Sequence, residues 1–331
     1  MILVTGGTGL VGSHLLYHLC LENDIIRAIY RTESKKNHVK KIFSYYTDNV
    51  EKYFSKIEWI QADITDVPVM IPVFIGVKKV YHCAALVSFN PNDYREMRKV
   101  NIHGTAIIVN LSIDAKIEKL CFVSSIAAVG DAIKNQVITE ENEWNDQTHH
   151  SGYAITKFGA EMEVWRASQE GIKVVIVNPG VILGSGFWNE GTGKLFTQIN
   201  NGFKYYTEGI TGFVGVKDVV KSMILLLNSD INNERFILVA ENKSFKEVFD
   251  GIATGFGKNL PKVKIKPWQT SIFWRLSWVV SKLTGKAPFL TKDSAKSAHS
   301  IARYSSEKIS KQLNFEFEKI DTVIQATTQD F

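Results

Sequence analysis

Tyr153 and Lys157 stand four positions apart in the run Tyr153-Ala154-Ile155-Thr156-Lys157. Apolar spacing around them continues helically through Glu161, Val164 and Trp165. Residues at i and i+4 share one helix face, so the phenol and the ammonium project together. A phenol with an ordinary pKa of about 10 is a poor proton shuttle near neutral pH, and an adjacent ammonium favours its ionised form. The pair is a candidate proton donor in which Lys157 tunes Tyr153, although the same spacing also describes an exposed helix pair. Ser124-Ser125 closes the apolar run Leu120 to Ser125, which suits a buried strand. The two hydroxyls then lie at the carboxyl edge where open α/β sheets bind ligands, though paired serines also serve as helix caps and turn formers. Asn101 lies on the preceding helical stretch.

A glycine turn supplies the second set of candidates. Ile2-Leu3-Val4 reads as a short buried strand, Thr5-Gly6-Gly7-Thr8-Gly9-Leu10-Val11-Gly12 punctuates it, and Leu15, Leu16, Leu19 and Cys20 follow at helical spacing. Strand, glycine turn and helix in that order suit a dinucleotide pyrophosphate: glycines let the backbone approach the phosphates, and the helix start offers N–H groups and a positive dipole end. The spacing Gly6-x-x-Gly9-x-x-Gly12 departs from the usual G-x-G-x-x-G, so the flanking strand and helix carry the inference. Ile25 to Tyr30 reads as the second strand of a β-α-β unit. It ends in Arg31, near the point where an NAD site places its acidic ribose ligand. Arg31, with Lys35 or Lys36, suggests a 2′-phosphate partner and so NADP(H) over NAD(H). The alternative is a solvated basic helix start whose field Glu33 dilutes.

The elements that must position these groups follow in order. Ile57 to Ala62 reads as a third strand ending in Asp63-Ile64, and Val80 to Ala84 as a fourth whose end, Ala84-Ala85, is small enough to admit a flat cofactor. A helix from Tyr94 to Ile113 carries Asn101, and Val174 to Val177 gives a sixth strand ending in Asn178-Pro179-Gly180. This alternation predicts an α/β fold, a Rossmann-type doubly wound parallel sheet. From Gly184 to Gly212 the chain holds seven glycines and several aromatics, a pattern of loops over a ligand. Phe213 to Met223 reads as a strand entering a helix, Arg235 to Ala240 as a last strand, and the chain is mainly helical from Phe245. The expected division is a cofactor domain at 1–183 and 213–240 with a smaller, mainly helical C-terminal substrate or lid domain at 184–212 and 241–331. Phe187, Trp188, Phe196, Phe203, Tyr205 and Tyr206 either line an apolar pocket there or form the lid's own core.

Composition narrows the partners. The chain has 331 residues, 45% hydrophobic and 22% charged, with a formal charge of +5. No apolar run approaches the roughly 18 residues of a membrane span. The glycine turn begins too early to leave room for a targeting peptide. Lys35, Lys36, Lys40 and Lys41, and the Lys262-x-Lys264-x-Lys266 alternation, do not demand nucleic acid. Cys20, Cys83 and Cys121 sit in apolar runs without metal-ligand spacing, so a reducing, cytoplasmic setting and no metal are expected. Gly191-Thr192-Gly193-Lys194 lacks the first glycine and the final Ser/Thr of a phosphate loop, and His149-His150 has no partnering ligands. Trp268 to Leu283 places Trp274, Trp278 and Val279 near one helix face with Arg275 and Lys282 off it; it reads as core or lid packing, or as a helix lying on a membrane surface.

Taken together, TGGTGLVG at 5–12, Asp63-Ile64, HCAA at 82–85, NIHGT at 101–105, FVSSIAAVG at 122–130, YAITK at 153–157 and NPGVILG at 178–184 resemble the extended branch of the short-chain dehydrogenase/reductase superfamily. Within it the chain is more similar to dihydroflavonol-reductase and 3β-hydroxysteroid-dehydrogenase-like members than to nucleotide-sugar epimerases. The resemblance implies that Tyr153 is the general acid/base, Lys157 holds the nicotinamide ribose, Ser125 binds the substrate oxygen and Asn101 supports a proton relay. It further implies cofactor contacts from Thr5, Gly6, Gly9, Leu10, Val11 and Gly12, from Asp63 and Ile64 at the adenine, from Ala84, Ala85 and Ser124 midway, and from Pro179, Gly180, Val181 and Ile182 at the nicotinamide. Val129 stands where many members carry Tyr, and no Arg occurs between Arg166 and Arg235, which argues against a nucleotide-sugar diphosphate. The implied function is hydride transfer between NADP(H) and the carbonyl or hydroxyl of an apolar small molecule. The alternatives are a nucleotide-sugar epimerase or dehydratase and a non-catalytic dinucleotide sensor. The resemblance also allows a homodimer.

Overall fold

Ile2–Thr5 forms strand β1, and Leu10–Glu22 helix α1 leads to β2 at Ile26–Tyr30, so the glycine turn opens a β-α-β unit. Helices α2 (Lys35–Ser44) and α3 (Val50–Phe54) precede β3 (Ile57–Gln61); α4 (Val67–Val73) precedes β4 (Lys79–His82). The structure, a computed structural model, describes residues 1–132, 136–284, 288 and 290–331. Within the segment expected to form the lid, positions 285–287 and 289 therefore lie outside the described residues. The predicted helix from Tyr94 to Ile113 is three pieces in one continuous run: α5 (Tyr94–Met97), a widened π-helical turn at Arg98–His103, and α6 (Gly104–Asp114).

Strand β5 (Lys119–Val123) then leads by a long connection to α7 (Gly152–Gln169), β6 (Lys173–Pro179) and β7 (Val181–Leu183). Next come α8 (Gly193–Asn200), β8 (Tyr205–Tyr206), β9 (Ile210–Gly215), α9 (Val216–Asn228) and β10 (Glu234–Leu238). The chain continues through β11 (Glu241–Ser244), α10 (Phe245–Gly255), β12 (Val263–Lys264), α11 (Pro267–Thr284), α12 (Lys292–Ser297), α13 (Glu307–Leu313) and α14 (Ile320–Gln329).

Seven parallel strands form one sheet in the order β10-β6-β5-β4-β1-β2-β3. Strands such as β1 and β6 are near-continuous apolar runs, as a parallel sheet covered on both faces requires. Helices α1 and α9 cover one face and α6 and α7 the other; each face has its own apolar cluster. Chain direction across the sheet reverses between β1 and β4. The carboxyl ends of those two strands, in register at Thr5 and His82, therefore flank the crevice where open α/β sheets bind ligands.

Strands β7, β9 and β11 make a second, three-stranded sheet. A Cβ on Gly180 would meet the carbonyl oxygen of Gly212 at 2.4 Å; this close approach lets the chain leave β6 and pair with β9. The strand expected over Arg235 to Ala240 is likewise divided: β10 ends at Leu238, and Ala240 N–H donates to Phe213 O before β11 begins. A third apolar cluster joins Leu183, Phe196 and Phe213 to Val248, Ile252 and Ile324. The stretch expected to be loops is thus more ordered than its glycines suggest. The segment carrying α13 returns to the large sheet, where Ile309 and Phe315 enter the α1/α9 cluster.

Candidate active site

Ser151 caps α7 by accepting from Ala154 N–H at 3.2 Å, which fixes the helix start and places Tyr153 in its first turn. Tyr153, Lys157 and Glu161 follow at four-residue intervals and project toward the end of β5. Ser125, in extended backbone, accepts from Ala127 N–H at 3.1 Å, and its hydroxyl lies beside the Tyr153 phenol. Burial raises the phenol above its ordinary value and the neighbouring Ser125 hydroxyl opposes the rise. The Lys157 ammonium is buried, donates to Val123 O at 2.7 Å and lies 4.4 Å over the Phe122 ring. Burial lowers its pKa to about 8, with Glu161 pulling upward. Burial and the Ser125 hydroxyl bear on the phenol, while Lys157, expected to tune it, is anchored to the strand end at Val123 O.

Glu161, which the sequence reading passed over, is fully buried and satisfied from several sides. Ser124 Oγ donates to it at 2.6 Å, Asn178 Nδ2 at 2.9 Å and Arg235 at 3.3 Å. The signal was present, since Glu161 continues the Tyr153–Lys157 face by one more turn. Ser124, expected among the cofactor contacts, has its hydroxyl committed to Glu161. Arg235 is similarly spent, donating to the carbonyls of Glu140 and Asn142.

Below the glycine turn runs a second buried network. Thr105 Oγ1 donates its proton to Asn101 O at 2.5 Å, so at its 2.9 Å contact with His82 Nε2 it must accept. Nδ1 is then the acceptor, and Thr5 Oγ1 donates to it at 2.6 Å while accepting from Ala84 N–H at 3.4 Å. Burial drives the His82 pKa down to about 3, consistent with a neutral ring having one donor and one acceptor. The Asn101 side chain, in the π-helical turn, accepts from Leu86 N–H at 2.7 Å and donates to Leu86 O at 3.0 Å and to Thr156 Oγ1 at 3.1 Å. Thr156 in turn donates to Tyr153 O. Asn101, expected in a proton relay, thus ties the loop after β4 to the catalytic helix.

The glycine turn tests whether a dinucleotide fits. Gly6 has φ +67°, and a Cβ there would lie 2.5 Å from Ala84 N, so the first glycine permits the crossing with the β4 loop. A Cβ on Gly12 would sit 2.2 Å from Gly6 O, so the third serves close packing of helix on turn. Gly9 is different: its backbone is extended, and the nearest protein atom to a Cβ there is Gly6 O at 3.5 Å. The fold leaves that space open. The first turn of α1, with Leu10 and Val11, carries neither a capping side chain nor an acidic residue, leaving its dipole end for an anion. These residues fit a pyrophosphate.

At the other end of the crevice Arg31 is exposed, with its guanidinium 3.8 Å from Asp63. Partial burial pushes the Asp63 carboxyl up, but two hydrogen bonds from Thr65 and the Arg31 charge outweigh it and hold it below the usual range. Lys36 is turned to Glu33 and lies 4.6 Å over the Tyr30 ring, so of the two lysines expected to help Arg31 one is already engaged. Ile64, expected with Asp63 to flank an adenine, buries its side chain against Gly104. Ala84 and Ala85 lie outside the sheet, Ala84 half-buried and Ala85 exposed. Pro179 ends β6, Gly180 joins it to β7, and Val181 and Ile182 are half-buried in β7.

A cleft of about 190 Å³ runs from Tyr153 past Phe89, Pro91, Tyr94 and Met97 to Asp293 of α12, with the Phe89 ring 5.9 Å from that of Tyr153. A larger recess of about 420 Å³, lined by His14, Tyr46, Ser185 and Asp330, contains none of these candidate groups. The expected aromatic lining is mostly core. Phe196 is fully buried, Trp188 and Phe203 pack against its cluster, and Trp188 stands 4.7 Å from Phe331. Apolar groups beside Tyr153 come instead from the loop after β4; its signal was the run Leu86-Val87-Ser88-Phe89 directly after a strand end. Val129 is buried with Ile126 and Ile138. His150 stacks on Trp144 at 3.7 Å, and the described residues hold no cluster fit for a metal.

Residues 4–233 match the protein family described as male sterility protein, an NAD-binding family. The chain is 26% identical over 321 residues to a putative dihydroflavonol 4-reductase of Synechocystis sp., covering 94% of this chain and 88% of that protein. It is 27% identical over 269 residues to sterol demethylase protein B of Methylococcus capsulatus, covering 80% and 77%. Among solved structures, UDP-glucose 4-epimerase of Thermotoga maritima superposes with a TM-score of 0.76 at 20% identity, over 100% of this chain and 98% of that one.

Proposed function

The chain belongs to the NAD-binding extended short-chain dehydrogenase/reductase family described as male sterility protein, and from that membership we propose that it is an NADP(H)-dependent reductase of an apolar carbonyl compound. The observation that carries the reading is Tyr153 lining a largely apolar cleft with the Ser125 hydroxyl beside its phenol. When bound, a nicotinamide supplies the hydride. The protein's own groups manage charge on the substrate oxygen: Tyr153 holds the proton to be given and Ser125 a second hydrogen bond. Lys157, fixed by Val123 O, presents an ammonium one turn along the same helix. Thr5, Gly9 and the first turn of α1 would hold the pyrophosphate.

The reductase reading is favoured over a nucleotide-sugar epimerase because residues 167–234 hold no arginine and Arg235 is consumed by Glu140, Asn142 and Glu161. The cofactor preference rests on Arg31, which stands at the end of β2 where an NAD site places its acidic ribose ligand, with its guanidinium exposed beside Asp63. Arg31→Asp should weaken NADPH binding roughly ten- to a hundredfold, the worth of about 1.5–3 kcal/mol for a charged hydrogen bond, and NADH binding much less. The deciding experiment is a screen of NADPH oxidation over aldehydes, ketones and nucleotide sugars. Turnover of aryl or alkyl carbonyls, lost in Tyr153→Phe, is the expected result. Tighter binding of a UDP- or GDP-sugar than of apolar carbonyls of similar size would overturn the reading, as would a wild-type preference for NADH overturn the cofactor assignment.

A further inference from the structure

Between Asp250 and Asp293 the sequence holds eight Lys or Arg residues and no Asp or Glu. The centre of that stretch is α11, Pro267–Thr284, and its amphipathicity is inverted. The side facing the protein is built from small polar groups: Thr270 is buried and hydrogen-bonded to His299 at 3.0 Å, and Ser277 Oγ accepts from Leu290 N–H at 3.1 Å. Ser271, Trp274 and Ser281 share that half-buried side. The opposite arc carries Ile272, Phe273, Leu276, Val279, Val280 and Leu283, every one exposed and Leu283 to 81%. The expected grouping of Trp274 with Trp278 and Val279 is therefore divided, with Trp274 turned inward.

An outward apolar arc of this length costs free energy in water and requires a cover. We propose that α11 seats this face of the protein on an anionic phospholipid surface, lying in the interface with its outer arc among the acyl chains. Three observations select that occupant. Charge in the stretch is of one sign: Arg275 and Lys282 border the arc, and exposed Lys258, Lys262 and Lys266 precede it, complementary to an acidic headgroup layer. Lys264, the other lysine of that run, is paired with Glu208. Exposed indoles stand at the arc's margins, Trp268 at 60% and Trp278 at 54% exposure, with the Lys282 ammonium 5.9 Å over the Trp278 ring; amphipathic rings beside cations suit the headgroup boundary. Among the described residues no helix is long and apolar enough to cross a bilayer, so the helix lies on the surface.

The docking face adjoins the cleft. Helix α11 packs on α12, whose Asp293 lines the cleft with Tyr153, so a bilayer-partitioned substrate would arrive near its mouth. That corollary alone rests on the reductase reading; docking is measured without turnover.

The test is flotation of the full chain with phosphatidylcholine vesicles, with and without about one-third phosphatidylglycerol. Binding is expected to the anionic vesicles, to weaken as salt rises, and to shift indole emission to the blue. Leu276→Asp with Leu283→Asp, both at exposed positions, should leave the thermal transition in place and weaken binding at least roughly tenfold. Arg275→Glu with Lys282→Glu should weaken binding to anionic vesicles only. Failure of wild type to float with either vesicle, or undiminished binding by the double aspartate variant, would overturn the proposal. So would a lipid-free dimer that the aspartate pair converts to monomer, because the arc would then belong to a second copy.

Discussion

Tyr153 sits in surroundings that keep its proton on. Burial holds the phenol above its ordinary range, so in the cofactor-free protein the group that titrates nearest neutrality on this helix is Lys157, at about 8. The sign follows from what the charge does: below that value the ammonium is present and donates to Val123 O, and above it the charge is lost. The pH profile of kcat/KM for the cofactor, which reports the free enzyme, should therefore fall on the alkaline side near pH 8, and Lys157→Arg should move that limb upward. Tyr153→Phe should lower kcat by about 10²–10⁴-fold, the range for a general acid, while leaving cofactor affinity nearly intact; stopped-flow turnover beside a fluorescence titration of NADPH separates the two.

At the scale of elements, the glycine turn gives the sharpest contrast. Gly12→Ala drives a Cβ to within 2.2 Å of Gly6 O and should cost about 1–3 kcal/mol of stability, as overpacking does. Gly9→Ala meets no protein atom closer than 3.5 Å, so its melting temperature should hold while cofactor affinity collapses; calorimetry on the two variants distinguishes a fold glycine from a ligand glycine. The sequence made the strands, the parallel order and the Tyr153, Lys157 and Ser125 triad legible because each is written in local periodicity or fixed spacing. Hidden were pairings set by distant parts of the chain. Ser124 meets Glu161 across 37 positions, Thr5 meets His82 across 77 and Arg235 meets Glu161 across 74; no window of sequence holds both partners. The π-helical turn at Arg98–His103 was missed for a related reason, since its apolar pattern also fits an ordinary helix.

Across the whole molecule, the final segment joins what the sheet order keeps apart. Ile309 and Phe315 complete the cluster under α1 and α9, while Ile320, Val323 and Ile324 complete the one shared by α8 and α10. Ser185 donates to Asp330 at 2.6 Å. Removing residues 307–331 should therefore destabilise both lobes together, giving one broadened, lowered transition in a thermal melt; loss of the smaller lobe alone would contradict this. The same closure bears on synthesis. β1, beside the central strand β4 of the large sheet, is made before the strands it pairs with, yet the cluster beneath it lacks two side chains until position 315 is made, and the smaller cluster waits for position 324. A growing chain therefore carries unfinished apolar surface until both segments are made, and such surface is exposed to aggregation in the meantime.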